Sequence, residues 1–170
     1  MNALELLKQY KESSREINNE LRNGKMTFEN IAIDALFSDR EIPPTLYRLI
    51  DNKYARFEGD VFCDFAYLSC TDDIDNFILK TDPTNHLACL KINVNSPFPC
   101  IHVEELLPEF ASEGEYILPR NINMQLVGIE TYDSIEGFDL FLENLNSVTG
   151  SNELWECGIR TISQYDLEIV

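Results

Sequence analysis

An arginine inside an apolar segment is the first residue of the sequence that could do chemistry. Arg48 stands within residues 46–50, among leucine, tyrosine and isoleucine. A charged side chain in such a segment is costly to bury unless it finds a partner or faces a cleft. Arg48 is therefore a candidate ligand-binding residue. An edge position or an internal salt bridge would explain it without any ligand.

Hydroxyl side chains stand at the end of a second apolar segment. Ser69 and Thr71 flank Cys70, directly after the strand-like residues 61–68. A hydroxyl at a strand end can hold a catalytic side chain in one rotamer. It can equally cap an ordinary turn, and this segment alone does not distinguish the two interpretations.

Two glutamates form the third feature. Glu113 and Glu115 flank Gly114, directly before a predicted strand. If both positions are extended, their side chains point to the same side. Two carboxylates so placed repel each other, which raises at least one pKa and suits the pair to acid/base chemistry or to stabilising a cation. A solvated acidic turn is the alternative.

The charge of the chain excludes several classes of partner. Its 170 residues include 13 lysines and arginines against 30 aspartates and glutamates, a formal net charge of −17. A nucleic-acid-binding protein needs a basic surface to displace counterions from phosphates, so we expect no nucleic-acid partner. An anionic membrane surface is disfavoured for the same reason. Residues 92–170 hold only Arg120 and Arg160 against 14 acids, so any anion site must use a few specific arginines.

The cysteines and histidines predict neither disulfides nor a metal site. The five cysteines are odd in number, include no Cys-x-x-Cys pair and accompany only two histidines, whereas zinc needs clustered ligands. We expect reduced, mostly buried thiols. We find no secretory signal, and no apolar segment reaches the ~20 residues needed to cross a bilayer. The sequence therefore predicts a soluble protein, cytoplasmic in its producer or exported without such a signal.

Helices come first in the sequence and strands follow. Apolar residues at helical spacing predict a helix over residues 2–23. Thr27 is a candidate N-cap for a second helix over residues 27–37. From residue 45 onward most segments are strand-like, and such segregation predicts an α+β domain. The length is that of one ordinary domain, so we expect residues 1–170 to form a single unit.

The remaining segments are mostly short strands. The expected strands cover residues 45–50, 61–68, 87–94, 100–103, 115–118, 123–130 and 165–170. A short helix, a loop and a late helix are expected over residues 73–80, 106–114 and 138–145.

The order of the three chemical features resembles a known enzyme family. An arginine on one strand, a serine at the end of the next, then Glu-x-Glu before Ile-Leu-Pro-Arg is similar to the arginine, serine, glutamate class of ADP-ribosyltransferases. This class includes bacterial actin-modifying toxins and related effectors. Residues 17–24 resemble its first helix, residues 45–48 its arginine strand and residues 113–120 its glutamate block. The resemblance extends from about residue 10 to about residue 130.

The resemblance implies a fold and a co-substrate. Two roughly perpendicular β-sheets would form a cleft for NAD, with the N-terminal helices packed outside. Arg48 would hold the pyrophosphate or a ribose of NAD, and Arg22 is a second candidate phosphate contact. The backbone at Leu49 would meet the nicotinamide amide. Phe77 would stack on the nicotinamide ring or, alternatively, pack in the core of a short helix.

The resemblance also implies a mechanism. Ser69 would fix the direction of Glu115, which would bind the 2′-hydroxyl of the nicotinamide ribose. Cleaving the bond from nicotinamide to ribose produces an oxocarbenium-like centre. This carboxylate would stabilise it by roughly 2.7–4 kcal/mol, by analogy with oxyanion-hole deletions. Glu113 would orient or deprotonate an acceptor arginine of a target protein, which the loop over residues 106–113, with Phe110, would touch.

Two positions depart from the family pattern. The usual Ser-Thr-Ser block is here Ser69, Cys70 and Thr71, and Leu49 follows the arginine where many members have glycine. Three alternatives to a protein-arginine transferase therefore remain open. They are an NAD glycohydrolase that uses the same site, a binding module that kept the fold and lost catalysis, and a plain acidic globular domain.

Overall fold

A computed structural model describes residues 2–169, and its first element is a long helix. Helix α1 (Ala3–Arg22) begins at Asn2, whose side chain accepts the backbone N–H of Glu5 while the Glu5 carboxylate accepts the N–H of Asn2. This capping box satisfies N–H groups that have no partner within the helix. Ser13 leaves the helical conformation, with φ −127° and ψ 26°, and kinks α1 near its middle. The first predicted helix is confirmed.

The second helix is shorter than predicted. Helix α2 (Phe28–Asp34) begins after Thr27, whose hydroxyl accepts the backbone N–H of Asn30 at 3.3 Å. The predicted cap is therefore confirmed. The helix ends at Asp34, and beyond it the ring of Phe37 stacks on the ring of Tyr67, with 5.8 Å between the ring centroids.

Ten strands and three further α-helices follow in the described residues. The strands are β1 (Ser38–Arg40), β2 (Thr45–Asp51), β3 (Phe57–Glu58), β4 (Val61–Asp64), β5 (Leu68–Thr71), β6 (His86–Asn93), β7 (Phe98–His102), β8 (Glu115–Leu118), β9 (Ile122–Tyr132) and β10 (Thr161–Ile169). The helices are α3 (Val103–Leu106), α4 (Ile135–Asn144) and α5 (Ser151–Glu156), and short 3₁₀ helices span Asn52–Tyr54, Ile74–Asn76 and Pro108–Glu113. Across residues 2–169, none of the helices has both the length and the apolar character needed to cross a membrane.

Hydrogen bonds link the strands in one order, β1-β7-β8-β5-β2-β6-β10-β9-β4-β3. The order divides into two groups that meet where β5 lies beside β2. Tyr47 opposite Thr71 is the one residue pair that joins these two strands in the described part of the chain. The two expected sheets are therefore two ladders connected at a single point. The predicted α+β fold class is confirmed.

Three clusters of buried apolar side chains support this arrangement. The sheet cluster joins both groups of strands and includes Leu46, Leu68, Leu90, Leu118 and Met124. The N-terminal cluster packs α1 and α2 against β7 and β8 and includes Leu7, Tyr10, Ile33, Tyr67 and Ile117. The C-terminal cluster packs α4 and α5 against β6 and β10 and includes Leu87, Phe138, Phe141, Leu154 and Ile162. The two sets of helices thus cover different groups of strands.

Residues 61–68 belong to two strands where one was predicted. The Asp64 carboxylate accepts the backbone N–H of Ala66 at 2.9 Å and turns the chain between β4 and β5. As a result β4 pairs with β9, whereas β5 pairs with β8 in the other group. The apolar pattern of the sequence shows no break at this turn because Phe65, which lies in it, is apolar yet 59% exposed.

Other boundaries also differ from the predictions. The expected loop over residues 106–114 is mostly helical, and residues 73–80 contain only one 3₁₀ turn. Strands β1 and β3 and helix α5 were not predicted. Strand β10 begins at Thr161, earlier than expected, because it pairs along its length with both β6 and β9. The last residue of the predicted closing strand, Val170, lies outside the described residues.

Candidate active site

Arg48 is a half-buried cation on β2, opposite Leu90 of β6. Its Nη1 donates to the backbone carbonyl of Ser69 at 2.9 Å. Within residues 2–169 it forms no ion pair, although a guanidinium offers five N–H donors. Four other arginines each pair with a carboxylate, namely Arg15, Arg22, Arg40 and Arg120. Arg48 therefore keeps donors available for an anion.

Ser69 connects this arginine to a buried carboxylate. It lies on β5, opposite Ile117 of β8. Its carbonyl accepts the bond from Arg48, and its hydroxyl donates to Glu115 Oε1 at 2.7 Å. Because one residue makes both bonds, the guanidinium and the carboxylate are held on either side of it. The structure thus brings together Arg48, Ser69 and Glu115.

Glu115 is the first residue of β8, and 3% of its side chain is exposed. Burying a carboxylate this deeply is costly unless hydrogen bonds and an opposite charge replace the lost water. Here Oε1 accepts from Ser69 and Oε2 pairs with the ammonium of Lys11. The buried charge is therefore compensated from two directions, by a strand and by helix α1.

Lys11 was not predicted as a site residue. Its Nζ lies 2.6 Å from Glu113 Oε2, pairs with Glu115 Oε2 and lies 5.0 Å from the centroid of the Phe110 ring. Burial opposes its charge, but the attraction of Glu115 and the hydrogen bonds to both glutamates raise the pKa of Lys11. The sequence did carry a signal, because Lys11 follows Leu7 by four residues on the buried stripe of α1.

A left-handed glycine directs both glutamates to this ammonium. Gly114 has a φ of +54°, and a Cβ added there would lie 2.6 Å from Asp72 Oδ1. Only glycine fits such a turn without strain. Glu113 ends a 3₁₀ helix and Glu115 begins β8, so the two positions are not both extended as expected. Their carboxylates converge on Lys11 because of the turn and not because of strand alternation.

Thr71 anchors the same turn to the end of β5. Its buried hydroxyl lies 3.3 Å from the carbonyl oxygen of Glu113 and 3.2 Å from the side-chain nitrogen of Asn76. Thr71 also stands opposite Tyr47 on one side and Glu115 on the other. The site therefore lies where the two groups of strands meet.

The two departures from the family pattern affect different parts of the structure. The Cys70 side chain is buried in the sheet cluster, where burial raises its pKa to about 12. It lies on the opposite face of β5 from Ser69. The Leu49 side chain packs against the C-terminal cluster. Beyond Tyr47, in the described chain, no strand pairs with the edge of β2 that faces β5, so backbone groups near Leu49 have no strand partner on that side.

Phe77 is half-buried just after the 3₁₀ turn that follows β5. Its neighbours Ile74 and Ile78 are buried in the C-terminal cluster. The isoleucines therefore form the core contact that the alternative interpretation assigned to Phe77, while part of the phenyl ring remains accessible.

Arg22, the second candidate phosphate contact, forms an ion pair of its own. It is the last residue of α1, eleven residues after Lys11, which corresponds to about 16 Å along a helix. Its Nε and Nη2 donate to the two carboxylate oxygens of Asp64 at 3.0 Å and 2.8 Å. Its guanidinium is thus engaged in a bidentate ion pair, and its contact with a phosphate of NAD stays a prediction.

Comparison with known proteins gives a result at the level of structure. No family model matches the chain, and no curated protein matches it. The ADP-ribosyltransferase toxin Plx2a from Paenibacillus larvae superposes with a TM-score of 0.62 and 14% identity, over 99% of this chain and 85% of that one. The ATR domain of Salmonella SpvB superposes with a TM-score of 0.62 and 13% identity, over 99% and 98%.

A third solved structure contains an analogue of NAD. Exoenzyme S from Pseudomonas aeruginosa, in complex with human 14-3-3 protein beta and bound to carba-NAD, superposes with a TM-score of 0.60. Its identity is 12%, over 98% of this chain and 72% of that one. The resemblance inferred from the sequence is thus confirmed as a likeness of structure, and the chain has the fold of the ADP-ribosyltransferase toxins.

Proposed function

We propose that this protein transfers ADP-ribose from NAD to an arginine side chain of a target protein. The observation that carries the proposal is the double contact of Ser69, which accepts from Arg48 and donates to Glu115. This contact places a cation with available donors beside a buried carboxylate at the junction of two groups of strands. Binding an anionic dinucleotide and stabilising a positive sugar require these two groups together.

The residues around Arg48 fit the parts of NAD. The guanidinium would bind the pyrophosphate or a ribose through its remaining donors, a task that suits its planar fork. The open edge of β2 near Leu49 would supply backbone hydrogen bonds to the nicotinamide amide. The accessible part of the Phe77 ring would stack on the nicotinamide. Arg22 stays the second candidate phosphate contact, and its partly exposed ion pair with Asp64 would have to open for that role.

Glu115 would act on the reacting ribose. The bond between the nicotinamide nitrogen and C1′ breaks, and its electron pair leaves with nicotinamide. The ribose is left as an oxocarbenium-like centre. Glu115, held by Ser69, would bind the 2′-hydroxyl and stabilise this centre by roughly 2.7–4 kcal/mol. The acceptor nitrogen then forms a bond to C1′ and gives its proton to Glu113.

The acceptor side of the site is acidic. Glu113 stands at the end of the 3₁₀ helix Pro108–Glu113, half-buried beside Phe110. The chain as a whole has a net charge of −17, which would attract a basic target surface. An arginine is therefore the acceptor that the charges favour, and the segment from Pro108 to Glu113 would contact the target.

One observation supports NAD glycohydrolysis as a second candidate function. The Lys11 ammonium already contacts both Glu113 and Glu115. Water is a neutral acceptor that needs no carboxylate to balance a charge. The same site could therefore pass the ribosyl group to water while Lys11 stays in place.

The wider role of the protein is part of the same proposal. Plx2a is described as a toxin, and exoenzyme S is seen with a human protein bound to it. We infer that residues 1–170 form one domain with a protein target, acting as a toxin or effector.

Labelled NAD tests the proposed function. The purified protein is incubated with NAD labelled in its ADP-ribose part and either a cell lysate or agmatine, a small guanidine. We expect labelled target protein and ADP-ribosyl-agmatine from the wild type, and a loss of about 10²-fold or more for Glu115→Gln. Glu156→Gln, an exposed acid on α5, serves as the matched control. Equal labelling by the wild type and Glu115→Gln would overturn the proposal.

A further inference from the structure

Lys11 occupies a site built to hold a cation. Two carboxylates contact its ammonium, Glu113 at 2.6 Å and Glu115 through Oε2, and the Phe110 ring lies 5.0 Å away. Carboxylates and an aromatic face are the groups that recognise ammonium and guanidinium ions. Only 12% of the Lys11 side chain is exposed, so this arrangement is not an incidental surface pair.

We propose that Lys11 determines acceptor specificity by occupying the position that the guanidinium of an acceptor arginine must take. The proposal rests on the proposed function, in which Glu113 receives the acceptor. It adds that the chain carries its own competitor for that place. A cationic acceptor has to displace the Lys11 ammonium, whereas a neutral acceptor such as water does not.

The charges and atoms around Lys11 support this assignment. Its Nζ contacts Oε2 of both glutamates, and Glu115 Oε1 already accepts from Ser69. A guanidinium added beside the ammonium would bring two cations together at a largely buried place, where like charges repel more strongly than in water. A lysine can leave without movement of its helix, because its four-carbon stem is flexible and its ammonium is strongly hydrated outside.

Competition of this kind has a definite kinetic signature. If the site is free of Lys11 for only a fraction of the time, the apparent affinity for the acceptor falls by that fraction, while the chemical step is unchanged. Replacing Lys11 by a neutral residue of similar length should therefore lower the KM for a guanidine acceptor more than it alters kcat. A residue that merely positioned the glutamates would lower kcat when replaced.

The test compares four proteins with agmatine as acceptor at saturating NAD. For Lys11→Met we expect the KM for agmatine to fall at least about tenfold, by a larger factor than any change in kcat. Lys11→Arg retains the cation and should keep the wild-type KM. Lys8→Met removes an exposed lysine of the same helix, paired with Glu109, and is the matched control. An unchanged KM in Lys11→Met, or equal losses of transfer and hydrolysis, would overturn the proposal.

A binding measurement separates this proposal from the proposed function. Agmatine is titrated by calorimetry into each protein, with and without carba-NAD. Tighter agmatine binding by Lys11→Met or Lys11→Gln than by the wild type supports the competition even if no variant cleaves NAD. Equal binding by all variants that retain the wild-type circular dichroism spectrum contradicts it. Absence of nicotinamide release from every protein would contradict the proposed function alone.

Discussion

Two regions of charged residues, an outer region and the candidate active site, differ in how charge is balanced. In the outer region, Arg22 pairs with Asp64 and Arg120 with Asp34, each through two or more hydrogen bonds of 2.8–3.2 Å. Each of these arginines pairs with one carboxylate, and each carboxylate pairs with one arginine. Such pairs leave little capacity for a ligand.

The candidate active site is balanced differently. Lys11 faces two carboxylates, Glu113 and Glu115, while Arg48 donates to a backbone carbonyl and pairs with no carboxylate among residues 2–169. The site therefore has a surplus anion on one side of Ser69 and an uncompensated cation on the other. A charged substrate can bind to a group whose charge is not neutralised by a neighbouring residue. Residue type alone does not separate Arg48 from Arg120, but charge balance does.

Removing Arg48 should give the largest effect on NAD binding. For Arg48→Ala we expect NAD to bind about 10- to 100-fold more weakly, because hydrogen bonds to charged groups contribute roughly 1.5–3 kcal/mol. Calorimetry with carba-NAD measures the change. Arg120→Ala, which removes a paired arginine of the outer region, should lose stability and keep its NAD affinity. Similar losses of NAD affinity in both variants would end the distinction between the two regions.

Breaking the outer region should reduce stability and leave the site intact. Asp34 accepts from Arg120 and, at 2.6 Å, from the hydroxyl of Tyr67. For Asp34→Asn we expect the free energy of unfolding to fall by about 1–2 kcal/mol, since the pair is partly exposed and each such bond contributes modestly. Urea unfolding measures the loss, and the rate of nicotinamide release at saturating NAD serves as the second readout. A reduced rate in the folded variant would show that the outer region takes part in catalysis.

Local sequence made Arg48, Ser69 and Glu115 candidates, and the order of their segments, through the family resemblance, joined them in one predicted site. Each stands in or at the end of a strand-like segment, where its polarity conflicts with its neighbours. The conflict is visible in the sequence because a strand buries its apolar side chains whatever its partners are. The same reasoning located α1 and most of β2, β6, β8 and β9, since their patterns are local.

Contacts between distant segments were beyond this reasoning. Lys11 and Glu115 are separated by 104 residues, and only the packing of α1 on β8 brings them together. The break between β4 and β5 depends on pairing with different strands, which the alternation of residues 61–68 does not encode. The ion pair of Arg22 was missed for a related reason, because its partner Asp64 lies 42 residues away.

Tyr10 lies between the two regions and should give the smallest effect at neutral pH. It is buried beneath α1, and its hydroxyl accepts from Asn18 Nδ2 at 3.1 Å. Tyr10→Phe leaves that donor without its partner, so we expect a loss of about 1 kcal/mol in the free energy of unfolding. Because Tyr10 forms no part of the proposed NAD contacts, nicotinamide release should change little.

The pH dependence of the same variant sharpens the test. Burial raises the pKa of Tyr10 to about 12 in the folded protein, whereas an unfolded tyrosine ionises near pH 10. Its contribution is therefore fully present below about pH 10 and is lost as the pH rises toward 12. Tyr10→Phe lacks this term, so its disadvantage relative to the wild type should shrink between pH 10 and 12. The urea concentrations at the unfolding midpoints of both proteins, measured at pH 8, 10 and 11.5, give the difference. If the gap between the two midpoints stays constant with pH, burial does not protect the phenol from ionisation.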